Sequence, residues 1–201
     1  MSNTDETLFL CQKKLCRDLI AVTNRHLNSR PFTEQITRVC QLHPKALILR
    51  EKDLTKEEYC TLARQVKEIC QQYDVPFIPH FYPDVARELD CKRLHLPLPL
   101  LRENPEVTEL FPVVGTSVHS VEDAIAAEKL GTRYLTAGHI YVTDCKKGLP
   151  PRGLDFLHAV CEAVQIPVYG IGGIKIDEDQ LRELKMSGAA GGCVMSGMMQ
   201  V

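Results

Sequence analysis

Eight short, continuously apolar runs recur along this chain, and most lead through a polar turn into an amphipathic helical stretch. They are Asp18 to Thr23, Ala46 to Arg50, Pro76 to Pro79, Arg93 to Leu96, Val113 to Val118, Arg133 to Ala137, Pro167 to Ile171 and Gly191 to Met195. Unbroken rather than alternating hydrophobicity marks strands buried on both faces, as parallel strands are when helices cover them. Helical periodicity fills the intervals at Phe32 to Leu42, Lys56 to Gln72, Pro83 to Glu88, Val121 to Leu130, Leu154 to Val164 and Asp177 to Ser187. Thr55 before KEEY and Ser120 before VEDA supply start signals, with Asp123 completing an acidic variant of the capping box. Gly131 and Gly188 supply stops. PLPLLRENPE, after Leu96, is too rich in proline to read as a helix.

Eight strands, each with a helix or loop, predict an α/β fold: a compact (β/α)8 TIM barrel of roughly 25 residues per unit, against a typical ~250 residues for the whole fold. The alternative, a doubly wound open sheet, needs a switch point, and no GxGxxG follows the first run. Residues 1–201 read as a single barrel domain, with 1–16 as an N-terminal extension. Only SGMMQV follows Met195, so the eighth helix is expected to be truncated to a single turn. The apolar strip it leaves would be covered by the segment Thr4 to Cys16 or by a neighbouring copy of the chain.

Charge narrows the partners. With 24 basic and 26 acidic residues, the net charge of −2 leaves no footprint for nucleic acid or an anionic membrane. No apolar run approaches the ~20 residues of a membrane span, and MSNTDET lacks the layout of a signal peptide, so a cytoplasmic protein is expected. Nine cysteines without a CxxC fit free thiols in a reducing compartment, most of them acting as small buried hydrophobes. Cys145, beside two lysines, is the exception to watch as a nucleophile.

Chemistry-bearing residues collect where the later runs end. AGHIYVTDCKKGLPPRG, Ala137 to Gly153, places His139, Asp144, Lys146 and Lys147 on the turn after the sixth run. An imidazole suits proton transfer near neutral pH, although a core histidine satisfied by hydrogen bonds is also open. Gly172 and Gly173 end the seventh run, and Ser196 and Gly197 the eighth, where barrels of this class commonly bind phosphate through backbone N–H groups. These residues could equally serve only as tight turns. Arg50 and Lys52 close the second run and could hold an anion over the barrel mouth or form a plain surface charge run. His80, His95 and His119 fall near three other strand ends, a weak metal signal because no two share helical i, i+4 spacing.

Four segments then carry a resemblance: LREKDLT from Leu49, GTSVHSVEDAIAAEKLGTRYL from Gly115, PPRGLDFL from Pro150 and IPVYGIGGI from Ile166. Together they are similar to the thiamin phosphate synthase superfamily over nearly the whole chain. The resemblance implies a (β/α)8 barrel that joins a hydroxymethylpyrimidine diphosphate to a thiazole phosphate with magnesium. It places the phosphate on Gly172, Gly173 and Ser196, and the diphosphate on Arg50, Lys52 and Lys146. Ser117 and Met195, at the ends of the fifth and eighth runs, complete the candidate substrate-binding set.

The chain also departs from the synthase pattern. Pro79-His80 stands where synthases carry Asn-Asp, Leu100 where they carry a metal-binding Asp, and Ile48 where a Gln meets the pyrimidine. Magnesium needs hard oxygen ligands, which neither imidazole nor leucine supplies. GHIYVTDCKKGLPPRG in turn resembles the thiazole tautomerase (TenI) branch, whose catalytic histidine falls on His139. The expectation is therefore a tautomerase-like isomerase moving a proton on a phosphorylated thiazole carboxylate, with no metal or other cofactor. The alternatives are a thiamin phosphate synthase and a non-catalytic sensor of a phosphorylated ligand; self-association stays open.

Overall fold

The computed structural model describes residues 3–146 and 148–201, with side chains from Phe9 onward except that of Cys145. The roles considered for Cys145 and Lys147 lie outside the described residues. Eight strands are present: β1 Leu19–Val22, β2 Ala46–Leu49, β3 Phe77–Pro79, β4 Arg93–Pro97, β5 Val113–Val118, β6 Tyr134–Gly138, β7 Val168–Ile171 and β8 Gly191–Val194. The helices are α1 Asn3–Cys16, α2 Phe32–Gln41, α3 Lys56–Gln72, α4 Pro83–Glu88, α5 Leu98–Glu103, α6 Val107–Leu110, α7 Val121–Lys129, α8 Gly153–Ala163 and α9 Glu178–Met186. Every strand pairing is parallel, in the order β3-β2-β1-β8-β7-β6-β5-β4. The order returns on itself because β3 and β4 meet through a single parallel bridge, His80 to His95. The sheet is thus a nearly closed TIM barrel.

Two apolar layers hold it. Leu19, Leu47, Leu49, Leu94, Leu135 and their neighbours pack outward against the helices. The alternate residues, including Ile20, Val22, Ile48, Ile78, Tyr134, Tyr169 and Cys193, fill the barrel interior. Gly115 makes that filling possible, since a Cβ there would lie 2.1 Å from the Tyr134 ring.

Local chemistry sets the helix ends. Thr55 and Glu58 form a reciprocal capping box on α3. Ser120 caps α7 through the Asp123 N–H, but the Asp123 carboxylate pairs with Arg102 at 2.9 Å instead of completing a box. The proline-rich stretch after β4 is helical, contrary to the sequence expectation. Proline stands in the first turn of α5, where a missing N–H removes no helical hydrogen bond. After β8 the chain makes one turn, in which Met199 N donates to Met195 O. That turn docks on α2, burying Met198 and Met199, while the Gln35 amide donates to Met198 O. At the other end, α1 buries Cys16 and packs Phe9 and Leu15 on the core.

Candidate active site at the barrel mouth

The carboxyl ends of β1 and β2 are tied by a buried carboxylate. Glu51, 3% exposed, accepts the Thr23 hydroxyl at 2.7 Å, the Arg25 N–H at 3.1 Å and the Arg25 guanidinium at 3.2 Å. Thr23 Oγ1 in turn accepts the Arg50 N–H at 2.9 Å. Arg25 reaches on to Asp53 at 2.6 Å and His26 to the same carboxylate at 2.9 Å, and these two hold Asp53 well below the usual carboxylate range. Glu51 is therefore a structural anchor that fixes the backbone from which Arg50 and Lys52 project. The pairing joins residues 26 apart, so nothing local in the sequence announced it.

Arg50 and Lys52 line a cavity of about 220 Å³ together with Asn24, His26, Glu51 and Asp53. Repulsion from Arg50, then burial, then repulsion from Lys146 lower the Lys52 pKa, so the three expected cations do converge. A larger concavity, about 480 Å³, runs along the first turns of α3 and is lined mostly by α3 residues such as Glu57, Glu58 and Leu62, together with Arg25 and Leu54. The smaller one holds Arg50 and Lys52 at the carboxyl end of β2.

Across the mouth, His139 is buried, with Nε2 3.4 Å from Leu149 O, and the Gly138–His139 peptide is cis. The His139 carbonyl accepts the Arg152 N–H at 2.9 Å, tying down the loop that carries Lys146. Gly172 has φ +97°, and a Cβ there would fall 2.4 Å from that of His139. Gly173 has φ +71°, and its Cβ would fall 2.5 Å from Val142 O. Both glycines are thus demanded by the turn and by the close approach of the β6 loop, whatever they bind. Ser196 is exposed and Met195 half-buried at the end of β8, next to the β7 turn in the sheet order.

Beneath the mouth lies a polar array inside the barrel. His95 Nδ1 is 2.9 Å from Tyr134 Oη and its Nε2 2.9 Å from Ser117 Oγ, which also accepts the Thr136 hydroxyl at 2.9 Å. Ser117 therefore faces the interior below the cations. His80 stacks on His95 with centroids 5.8 Å apart. Burial, then the charges of His95, Arg50 and Lys52, push the His80 pKa down to about 2, and burial alone takes His95 to about 3. His119 turns elsewhere, its Nδ1 2.8 Å from Gly138 O. Among the described residues, no three His, Cys, Asp or Glu side chains are grouped to hold a metal ion. No helix among them is long and apolar enough to cross a membrane.

A parallel eight-stranded barrel with cations and glycine turns gathered at the carboxyl ends of its strands defines the TIM-barrel class, whose members frequently bind phosphate at those ends. Within that class, a family model described as thiamine monophosphate synthase (TMP-TENI) matches residues 19–198, and the chain belongs to this family. It is similar to thiamine-phosphate synthase 2 of Streptococcus pneumoniae, 35% identical over 190 residues that cover 90% of this chain and 87% of the relative. It is also 30% identical to the thiamine-phosphate synthase of Syntrophomonas wolfei over 206 residues, covering 99% of this chain and 91% of that protein. The solved thiamine phosphate pyrophosphorylase from Pyrococcus furiosus superposes with a TM-score of 0.76 at 30% identity, covering 94% of this chain and 89% of that one.

These relatives overturn the expectation of a thiazole tautomerase, and with it that of an isomerase. The loop match around His139 covers sixteen residues, GHIYVTDCKKGLPPRG, whereas similarity to proteins named as synthases extends over nearly the whole chain.

Proposed function

We propose that this chain is a thiamin phosphate synthase, a transferase joining a hydroxymethylpyrimidine diphosphate to a thiazole phosphate. The thiazole nitrogen lone pair forms the new C–N bond to the pyrimidine methylene. The methylene C–O bond breaks, and its electron pair leaves with the diphosphate. Charge therefore builds on the departing diphosphate oxygens, where fixed cations lower the barrier most.

Placement of Arg50 and Lys146 within electrostatic reach of Lys52, with Arg50 and Lys52 lining one cavity, is the observation that carries this reading, because clustered cations suit a polyanion. Arg50 offers a planar fork to two oxygens, and Lys52 and Lys146 act as point charges. The thiazole phosphate is assigned to the N–H groups of the Gly172-Gly173 and Ser196-Gly197 turns, with Met195 beside the second turn and Ser117 facing the substrate from the barrel interior. His139 is assigned a positioning role, holding the Lys146 loop through its carbonyl and ring.

Magnesium, which the family resemblance implies, does not fit the residues at the expected positions. His80 is stacked among cations, and Leu100 is an apolar residue of α5 packed on the core. Neither gives a hard cation an oxygen ligand, so no step is routed through a metal here. Incubating the purified protein with both substrates and following thiamin phosphate and diphosphate release tests the reading. Equimolar appearance of the two products supports it, and no product with either magnesium or EDTA present refutes it.

A further inference from the structure

Four non-glycine residues among those described have positive φ, and three have an ordinary reason. His43, Asp74 and Asp90, at φ +48°, +54° and +47°, directly follow the cap residues of α2, α3 and α4, the usual left-handed helix stop. Phe81 is different. It follows strand β3 at the catalytic end of the barrel with φ +76°, and Tyr82 N donates to His80 O across it at 3.0 Å. That is the i to i+2 bond of a γ-turn with a positive-φ centre, a rare and strained conformation, occupied by a bulky aromatic residue.

The surroundings impose the strain. Phe81 N donates to His95 O at 3.0 Å, and His80 N donates to the buried Tyr59 hydroxyl at 2.7 Å, which itself donates to Leu49 O at 2.8 Å. Strands β2, β3 and β4 and helix α3 all fix this one turn. Its result is a succession of rings: His95 to His80 at 5.8 Å and 19°, then His80 to Phe81 at 6.3 Å and 28°. Exposure rises along it from 3% to 7% to 44%. Tyr82 packs edge-on to Phe81, with centroids 5.1 Å apart and an interplanar angle of 82°.

We propose that Phe81 is the outer step of an aromatic platform on which the heteroaromatic ring of the diphosphate substrate stacks, while its diphosphate lies on Arg50, Lys52 and Lys146. The choice of ring for this platform rests on the synthase reading. A strained backbone over-determined by four elements is kept where it serves a site, and a half-exposed aromatic face at a polar mouth is otherwise wasted apolar surface. Arg50 and Lys52 act on His80 electrostatically, so the cations stand beside the stack, and a neutral His80 adds no repulsion to a ring. Offset ring pairs at 4.5–7 Å add binding beyond buried area.

The chain contains no tryptophan, so Phe81→Trp creates a single reporter on the platform itself. Its emission should be quenched saturably by hydroxymethylpyrimidine diphosphate and left unchanged by inorganic diphosphate. Calorimetry gives the second arm. Wild-type protein should bind the pyrimidine diphosphate more tightly than inorganic diphosphate. Phe81→Leu should lose about three- to tenfold of that margin with inorganic diphosphate affinity unchanged, and Phe81→Tyr should keep the margin. An unquenched reporter in a protein that binds the pyrimidine diphosphate, or an intact margin in Phe81→Leu, overturns the platform and leaves the synthase reading standing. A margin lost in Phe81→Leu when the wild type makes no thiamin phosphate upholds the platform and refutes the synthase reading.

Discussion

Glu51 and Thr23 meet at 2.7 Å beneath the barrel mouth, and Thr23 in turn takes the Arg50 N–H, so this contact fixes where Arg50 and Lys52 stand. Glu51 also takes the Arg25 N–H and guanidinium, so removing its carboxylate strands the Thr23 hydroxyl and the Arg25 N–H, while the guanidinium keeps Asp53. Glu51→Ala should cost about 2–4 kcal/mol in urea unfolding, the range for leaving two donors without their acceptor, and Thr23→Val about 1–2 kcal/mol. Losses under 1 kcal/mol for Glu51→Ala would show the anchor to be dispensable.

His80 and His95 make stability depend on acid. Burial first, then neighbouring positive charge for His80, takes their pKa values to about 2 and about 3 from 6.5. Below pH 6.5 the unfolded chain binds protons that the folded one refuses, so stability falls as pH drops from 6.5 towards 3. Two such groups give a slope of up to about 2.7 kcal/mol per pH unit. Unfolding free energies at pH 7, 6, 5 and 4 measure it, and His95→Gln should remove about half. A slope unchanged in His95→Gln would place its cause elsewhere.

Lys52 should titrate below the usual lysine range because Arg50 and Lys146 repel its charge. Diphosphate binding relieves that repulsion, so complex formation should take up protons as pH rises towards 10. Calorimetry in buffers of different ionisation enthalpy reads the uptake, and Arg50→Met should diminish it. Proton release on binding would contradict this electrostatic picture.

Gly173 and Ser196 separate turn-making from phosphate-holding. Gly173→Ala meets Val142 O at 2.5 Å at φ +71°, and should cost about 1–3 kcal/mol of stability. Ser196 is exposed, so Ser196→Asp should leave the melting temperature near wild type and weaken thiazole phosphate at least about tenfold through repulsion. Unaltered thiazole phosphate affinity in Ser196→Asp would move the phosphate away from the β8 turn.

Hydrophobic pattern made the barrel legible, because strands buried on both faces leave unbroken apolar runs; β5 and α3 match their expected ranges residue for residue. Helix α5 was hidden by prolines that its first turn tolerates. The cations were readable from their strand-end positions, but the Arg25–Glu51 anchor and the His95–Ser117 contact join residues 26 and 22 positions apart, visible only once register is set. Phe81 gave no signal at all, since its interest lies in a backbone angle. The branch is misread because the loop around His139 and the departures at Pro79-His80, Leu100 and Ile48 carry more weight in that reading than similarity spread over the chain.

The direct measurement is turnover of hydroxymethylpyrimidine diphosphate and thiazole phosphate by the purified chain, with thiamin phosphate quantified against released diphosphate. The two should appear in equal amounts, and Arg50→Met should slow them at least about a hundredfold by removing charge stabilisation on the leaving group. Absence of thiamin phosphate from a folded protein that binds both substrates would contradict the account.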